Sequence, residues 1–248
     1  MNDDFVLYAS SAMDKKVARG VLRGRPFGGV CILVRTNLAA CCKLISTSAR
    51  HLIIKIDETI VCNVYLPCSS VANCEDVYTS TLASIVNCLS DEVHDSVIVG
   101  GDFNLQFETG NSKSNMIQDF CDALSIVYTD HLLPASETIT YRNSAGTASS
   151  LIDHFLVSRH LLSKIDSLNA TDNGANLSDH VPLSMHLAIP HHCETQKTRA
   201  TGDVGNESNL RNTKLPKYFS YHLRWDKMDH QKYYDETFAQ LKRIVISS

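Results

Sequence analysis

The run Ser96-Val97-Ile98-Val99 is apolar after its first residue and ends at Gly100-Gly101, ahead of Asp102-Phe103-Asn104. A short strand without polar alternation is apolar on both faces, so it must be covered on both. The run therefore predicts a central strand with a layer above it and a layer below it. Sheets of that kind are found in α/β architectures, where functional residues gather beyond strand ends. Apolar residues make up 44% of the chain and charged residues 20%, enough for such a core and too apolar for general disorder.

The neighbours of this strand are visible up to about Pro190. Phe5 to Ala9 and Gly29 to Arg35 are apolar runs rich in β-branched residues. His51 to Ile56 and Thr59 to Leu66 flank Asp57-Glu58, which predicts a hairpin. Tyr78, Leu82, Ile85, Val86 and Leu89 recur at helical spacing, and so do Met116, Ile117, Phe120, Cys121 and Leu124. Strands are expected over residues 138–141, 151–157 and 181–188, with a short helix near 159–164. The 248 residues suit one large domain, or a medium domain plus a tail. Residues 1–190 read as the domain. Residues 191–216 are rich in Thr, Asn, Ser and Gly and read as a linker. Residues 217–248 regain aromatics and predict an amphipathic helix, Asp229 to Ile244, with too little core to fold alone.

The net charge is −4, from 23 basic and 27 acidic residues. That balance disfavours a histone-like basic binder without excluding a nuclease that has an acidic metal site. Lys15 to Lys55 holds nine basic residues and no acid, whereas Ile56 to Pro190 holds four basic and seventeen acidic residues. A basic segment ahead of an acidic one suits phosphate contacts beside a metal cluster, and it equally suits solvated loops. Nine cysteines without a Cys-x-x-Cys pair predict reduced thiols rather than zinc or a disulfide framework. No apolar run approaches the roughly 18 residues of a membrane helix, and Met1-Asn2-Asp3-Asp4 lacks the features of a signal peptide. An intracellular protein, nuclear or cytoplasmic, without membrane attachment is expected.

Four short motifs carry the candidate chemistry. Asp102 and Asn104 follow the Gly-Gly strand end. Asp153 sits within Leu151-Ile152-Asp153-His154-Phe155-Leu156-Val157, where period 2 puts Leu151, Asp153 and Phe155 on one face. A carboxylate inside an apolar strand needs a donor. Asp179 and His180 precede the last strand in Ser178-Asp179-His180-Val181-Pro182. Tyr65 ends a strand in Asn63-Val64-Tyr65-Leu66-Pro67. Each has a plainer reading: turn residue for Asp102, loop or cap for Ser-Asp-His, core or interface for Tyr65. Together, an Asp–Asn pair, a buried Asp and an Asp–His pair at strand ends suit metal-assisted phosphodiester hydrolysis.

These motifs resemble the signature of the endonuclease/exonuclease/phosphatase superfamily. Arg25-Pro26-Phe27-Gly28-Gly29-Val30, Asn63 to Cys68 and Arg224-Trp225-Asp226-Lys227 are similar to its non-LTR retrotransposon endonuclease branch. The resemblance implies a two-layered β-sandwich flanked by helices, the DNase I-like four-layer α/β/β/α fold. It implies Mg2+ or Mn2+ as cofactor, no small-molecule cofactor, DNA as partner and a reverse transcriptase domain beyond the tail. Asp102 would orient or deprotonate water, Asn104 would hold that water, His180 would contact the phosphate and Asp153 would position His180. Asp179 and Asp102 would lie at the metal, and Tyr65 would contact the phosphate or the leaving oxygen. Arg19, Arg23 and Arg25 are phosphate contacts in this reading, or solvated loop charges. The chain departs from the family at Cys68, where Asn is common, and at His154, where Tyr is common. The family's first two strands, bearing an Asn and a metal-binding Glu, have no counterpart before Phe5, and the first Glu is Glu58 in a hairpin turn. The expectation is an N-terminally incomplete domain with impaired nicking activity. The alternatives are a non-enzymatic, nucleic-acid-binding remnant, and a lipid or inositol phosphatase. The latter calls for a basic inositol loop or a membrane-inserting aromatic hairpin, and the sequence shows neither.

Overall fold

The computed structural model of the chain describes residues 5–11, 29–107, 110–143, 145–171, 176 and 178–189. The expected linker, the tail with its helix, and Arg19, Arg23 and Arg25 lie outside the described residues. The central element is a six-stranded sheet of β3 (Cys42–Thr47), β4 (His51–Ile56), β5 (Thr59–Tyr65), β6 (Ser96–Asp102), β10 (Asp153–Ser158) and β7 (Ile126–Tyr128), in the order β3-β4-β5-β6-β10-β7. The β4–β5 hairpin turns at Asp57, which adopts a φ of 49°. The pair β5–β6 is parallel and is linked through helix α2 (Cys74–Ser90), while β10 runs antiparallel to both β6 and β7.

Alternation along the strands divides the apolar residues between two faces. On one face Ile53, Ile60, Cys62, Val64, Val97, Val99 and Leu156 pack against Tyr78, Leu82, Ile85 and Leu89 of α2 and against Ile117, Phe120 and Cys121 of α3 (Ser112–Leu124). Ile53, Ile85 and Leu156 are fully buried, and each such side chain contributes about 1.5–3 kcal/mol. Glu75 and Asp76 sit in the first turn of α2, where a helix N-terminus favours acids. The Asn111 side chain caps α3 by accepting from the Ser114 N–H at 3.0 Å, and Ser125 ends it at a φ of 53°.

A second β layer covers the other face. The antiparallel pair β1 (Phe5–Ser10) and β2 (Val30–Arg35) packs Val30 and Val34 on Leu52 and Ile54, together with Leu38 of the short helix α1 (Thr36–Ala39). The pair β11 (Ile165–Ala170) and β12 (Leu183–Leu187) encloses Ile98, Val157 and Leu161 with Ile165, Met185 and Leu187. The result is the expected α/β fold with two stacked β layers. Both long helices among the described residues lie on one face. No helix among them is long and apolar enough to cross a membrane.

Several elements escape sequence reading. Strand β3 is a sheet edge with three exposed residues, so its polar content hides it. Strand β11 buries only Leu168 and Ala170 among its six residues. The strand expected over 138–141 reduces to β8 (Tyr141–Arg142), paired with β9 (Ser149–Ser150). Thr140 is fully buried there and spends its hydroxyl on the backbone N–H groups of Ile152 and Asp153, both at 3.0 Å. Seven of the described cysteines are free thiols.

The two glycines after Val99 are required by close approach. A Cβ on Gly100 would lie 2.6 Å from Phe155 Cε1 on β10. A Cβ on Gly101, at a φ of 143°, would lie 2.0 Å from the Val64 carbonyl oxygen, and a backbone atom cannot rotate away. Gly101→Ala should therefore lower stability by about 2–4 kcal/mol, read from the urea midpoint. Gly110→Ala, at a φ of 61° with nothing within 4 Å of its added Cβ, keeps the positive-φ strain without the clash and should cost less.

Candidate active site at the strand ends

The strand register gathers the motifs at one edge. Parallel pairing sets Tyr65 beside Asp102, and antiparallel pairing sets Asp153 opposite Asp102. All three alternate with residues of the helix-side core, so they share the face that carries the second β layer. This edge is where β5 and β6 end and where β10 begins.

Asp102 is held by the turn that follows it. Asn104 has a φ of 48°, which a short side chain able to hydrogen-bond locally tolerates. Its backbone N–H donates to Asp102 Oδ1 at 2.8 Å, and its Nδ2 donates to Asp102 Oδ2 and to the Leu66 carbonyl, both at 2.9 Å. Asn104 therefore grips the Asp102 carboxylate and ties it to the end of β5. Asp153 is placed by the Thr140 hydroxyl, and the Thr140 carbonyl accepts from the Val181 N–H at 2.6 Å. One buried threonine thus registers the segment carrying Asp153 against the segment carrying His180. Sequence reasoning missed this role, and the only sign of it was a Thr inside a predicted strand.

His180 closes the set. Its Nδ1 donates to Asp153 Oδ2 at 2.8 Å, and its Nε2 lies 4.0 Å from Asp102 Oδ2. The ring meets Tyr141 at a centroid distance of 5.2 Å, edge to face, and the His180 backbone N–H donates to Ser178 Oγ. Asp179 is exposed, and its carbonyl accepts from the Arg142 N–H at 2.8 Å. Its carboxylate adds negative charge near His180. Tyr65 is half-buried on the same face.

His154 faces the helices and is buried. Its Nε2 donates to the Leu105 carbonyl and its Nδ1 meets Asp130 Oδ2, both at 2.8 Å, while the ring stacks on Phe107 at 3.7 Å. It clamps the loop that leaves Asn104. The alternation of the strand disclosed its face but not its partners.

Charge is concentrated here. Burial first, and the neighbouring Asp153 charge second, raise the Asp102 carboxyl to about 6 against the opposing effects of the Asn104 N–H, His180 and His154. Burial disfavours the His180 imidazolium, but the Asp153 hydrogen bond and the charges of Asp153, Asp102 and Asp179 outweigh burial and raise its pKa. Two facing carboxylates, one of them reluctant to ionise, fit a divalent cation that would relieve the excess negative charge. Asp102 and Asp153 are the groups that would hold it. No group of three or more His, Cys, Asp or Glu among the described residues converges as a metal cage. Water and substrate oxygens would therefore complete the coordination, as is usual for Mg2+.

A family model described as endonuclease-reverse transcriptase matches residues 59–184. That interval contains Tyr65, Asp102, Asn104, Asp153, Asp179 and His180. No curated protein sequence matches the chain. An endonuclease/exonuclease/phosphatase family protein from Leptotrichia buccalis superposes with a TM-score of 0.54 at 15% identity, over 76% of this chain and 73% of that one. This likeness shows the fold. A 3'-5' exonuclease from Neisseria meningitidis superposes with a TM-score of 0.49 at 15% identity, over 73% of this chain and 78% of that one. A 3' phosphatase from Neisseria, bound to a product DNA hairpin, gives 0.48 at 15% identity over 73% and 87%.

Linkage gives a signed expectation for the metal-free protein. A carboxyl raised to about 6 in the fold favours folding below its unfolded value of about 3.9. That contribution is lost as pH rises through 6. His180, also raised, contributes below its unfolded value of about 6.5 and loses that contribution as pH passes its folded value. Both groups therefore lower stability as pH rises from 4 through 7. In Asp153→Asn the Asp102 carboxyl should titrate lower than in wild type, and the His180 ring lower also. Carbon and imidazole NMR titrations check both directions.

Proposed function

The chain belongs to the endonuclease-reverse transcriptase family, of endonuclease/exonuclease/phosphatase type, and on that premise we propose that it hydrolyses phosphodiester bonds in DNA, nicking the strand with Mg2+ or Mn2+. The observation that carries this reading is Asp153 on His180 Nδ1 at 2.8 Å with His180 Nε2 facing Asp102 at 4.0 Å. Nuclease or phosphodiesterase chemistry is the activity class of the family, and its nucleases use divalent metals. The specific substrate and metal are the proposal's own.

The residues divide the work as their contacts suggest. Asp102, once ionised, accepts the proton of the attacking water. Its two oxygens already receive the Asn104 donors, which aim the remaining lone pairs. His180 keeps Nδ1–H on Asp153, so in the imidazolium form Nε2–H is available to donate to a phosphoryl oxygen as negative charge develops. Asp153 orients that ring and balances its charge, the part a carboxylate plays in hydrolase triads. Tyr65, beside Asp102 in the parallel register, would contact the phosphate or the leaving oxygen. The bound divalent cation would supply Lewis-acid stabilisation of the phosphate and leaving oxygen.

A second reading, DNA binding with weak hydrolysis, follows from the small donor set, since two carboxylates converge among the described residues. It predicts salt-dependent DNA binding with only slow nicking at millimolar Mg2+.

Conversion of supercoiled plasmid to open circle tests the primary reading. Asp102→Ala and His180→Ala should each reduce the metal-dependent rate by about 10²–10⁴-fold. Chelation with EDTA should abolish nicking. Robust nicking that survives Asp102→Ala would sink the assignment.

A further inference from the structure

The catalytic edge just described is strongly acidic, yet the proposed substrate is a polyanion. A cation beside that edge would help to hold the strand. Arg50 is placed to do so. In the sequence it is one of nine basic residues between Lys15 and Lys55 and carries no motif. In the fold it occupies the β3–β4 turn, one residue before β4, next to the end of β5. The Tyr65 N–H donates to the Arg50 carbonyl at 2.8 Å. The Arg50 Nη1 donates to the Tyr65 carbonyl at 3.3 Å, and the guanidinium carbon stands 5.1 Å over the Tyr65 ring.

The turn that presents Arg50 is cross-tied. Ser48 Oγ accepts from the N–H groups of Arg50 at 3.1 Å and of His51 at 2.9 Å. The buried His51 ring bridges Ser46 Oγ at 3.2 Å and Ser48 Oγ at 3.0 Å. Arg50 therefore has its backbone fixed and its side chain laid on an aromatic face, which lowers the ordering cost of binding. Among the described residues its charge also has no acidic partner. Lys43 and Lys55 are neutralised by Glu92 and Glu58 at 2.9 and 2.7 Å. No carboxylate among the described residues pairs with Arg50, whose side chain rests on the Tyr65 carbonyl and ring. Most of its N–H donors remain available, in the planar fork that matches phosphate oxygens.

We propose that Arg50, stacked on Tyr65, is a DNA-binding residue that holds a backbone phosphate next to the scissile phosphodiester. Tyr65 sits beside Asp102 in the parallel register, so the order along the edge is Arg50, Tyr65, Asp102, Asp153. A strand crossing that order places one phosphate at His180 and Asp102 and a neighbouring phosphate at Arg50. The proposal rests on the nuclease reading. It adds which residue sets the substrate's position.

The test measures nicking against DNA concentration and salt for wild type, Arg50→Met and Arg50→Lys. Arg50→Met keeps the apolar stem over Tyr65 and loses the charge. It should raise KM about tenfold, leave kcat within about twofold, and reduce the salt slope by about one phosphate contact. A merely structural role for Arg50 would not move the salt slope. Arg50→Lys should keep the salt slope with an intermediate KM, since a point charge replaces the fork. It also serves alone if Arg50→Met fails to fold. Wild-type KM and salt slope in the variants would overturn the Arg50 assignment while nicking by wild type upholds the nuclease reading. If wild type binds DNA but does not cut it, the same comparison is read on Kd. A wild type that neither binds nor nicks overturns both.

Discussion

Two carboxylates stand opposite each other on neighbouring strands, Asp102 on β6 and Asp153 on β10. Like charges in direct cross-strand register destabilise a sheet. Here the pair is partly buried as well, with side-chain exposures of 14% and 19%. Much of the surrounding structure answers this cost. His180 bonds one member and faces the other, and Asn104 gives two donors to Asp102. His154 holds the loop behind the sheet through Asp130 and the Leu105 carbonyl. The raised Asp102 carboxyl is the residual stress, of the kind that gathers at functional sites.

The support reaches well beyond the charged groups. Gly101 lets β6 end against the Val64 carbonyl, and Gly100 leaves room for Phe155, so the Asp102–Asp153 register can close. Thr140 ties the Asp153 segment to the His180 segment through its hydroxyl and carbonyl. Neither the glycines nor the threonine touches substrate in the proposed chemistry. They keep the acidic pair and its imidazole at fixed separations, which is what preorganised electrostatic catalysis requires.

Much of this was open to sequence reasoning, in uneven measure. The apolar run before Gly100 marked β6 as central, and Tyr78, Leu82, Ile85 and Leu89 marked the buried face of α2. Asp153 stood out because a carboxylate in an apolar strand needs a partner, and that partner is His180. Edge strand β3 and the sparsely apolar β11 stayed hidden, since pattern reading depends on burial that edges and polar strands lack. Arg50 and Thr140 were invisible as site residues because an Arg in a basic segment and a Thr in a strand each have ordinary uses.

The sequence by itself determined the layered α/β character, the inward faces of the main strands and helices, and the residue types able to hydrolyse a phosphodiester. Local periodicity and composition encode these, because burial on one face repeats along the chain. The tertiary structure alone decided that Asp102 meets Asp153 in register, that Asn104 grips the Asp102 carboxylate, and that Arg50 leans on Tyr65. Those outcomes depend on hydrogen bonds between segments distant in the chain. A shift of one residue in any of those pairings would send the side chains to opposite faces and disperse the site.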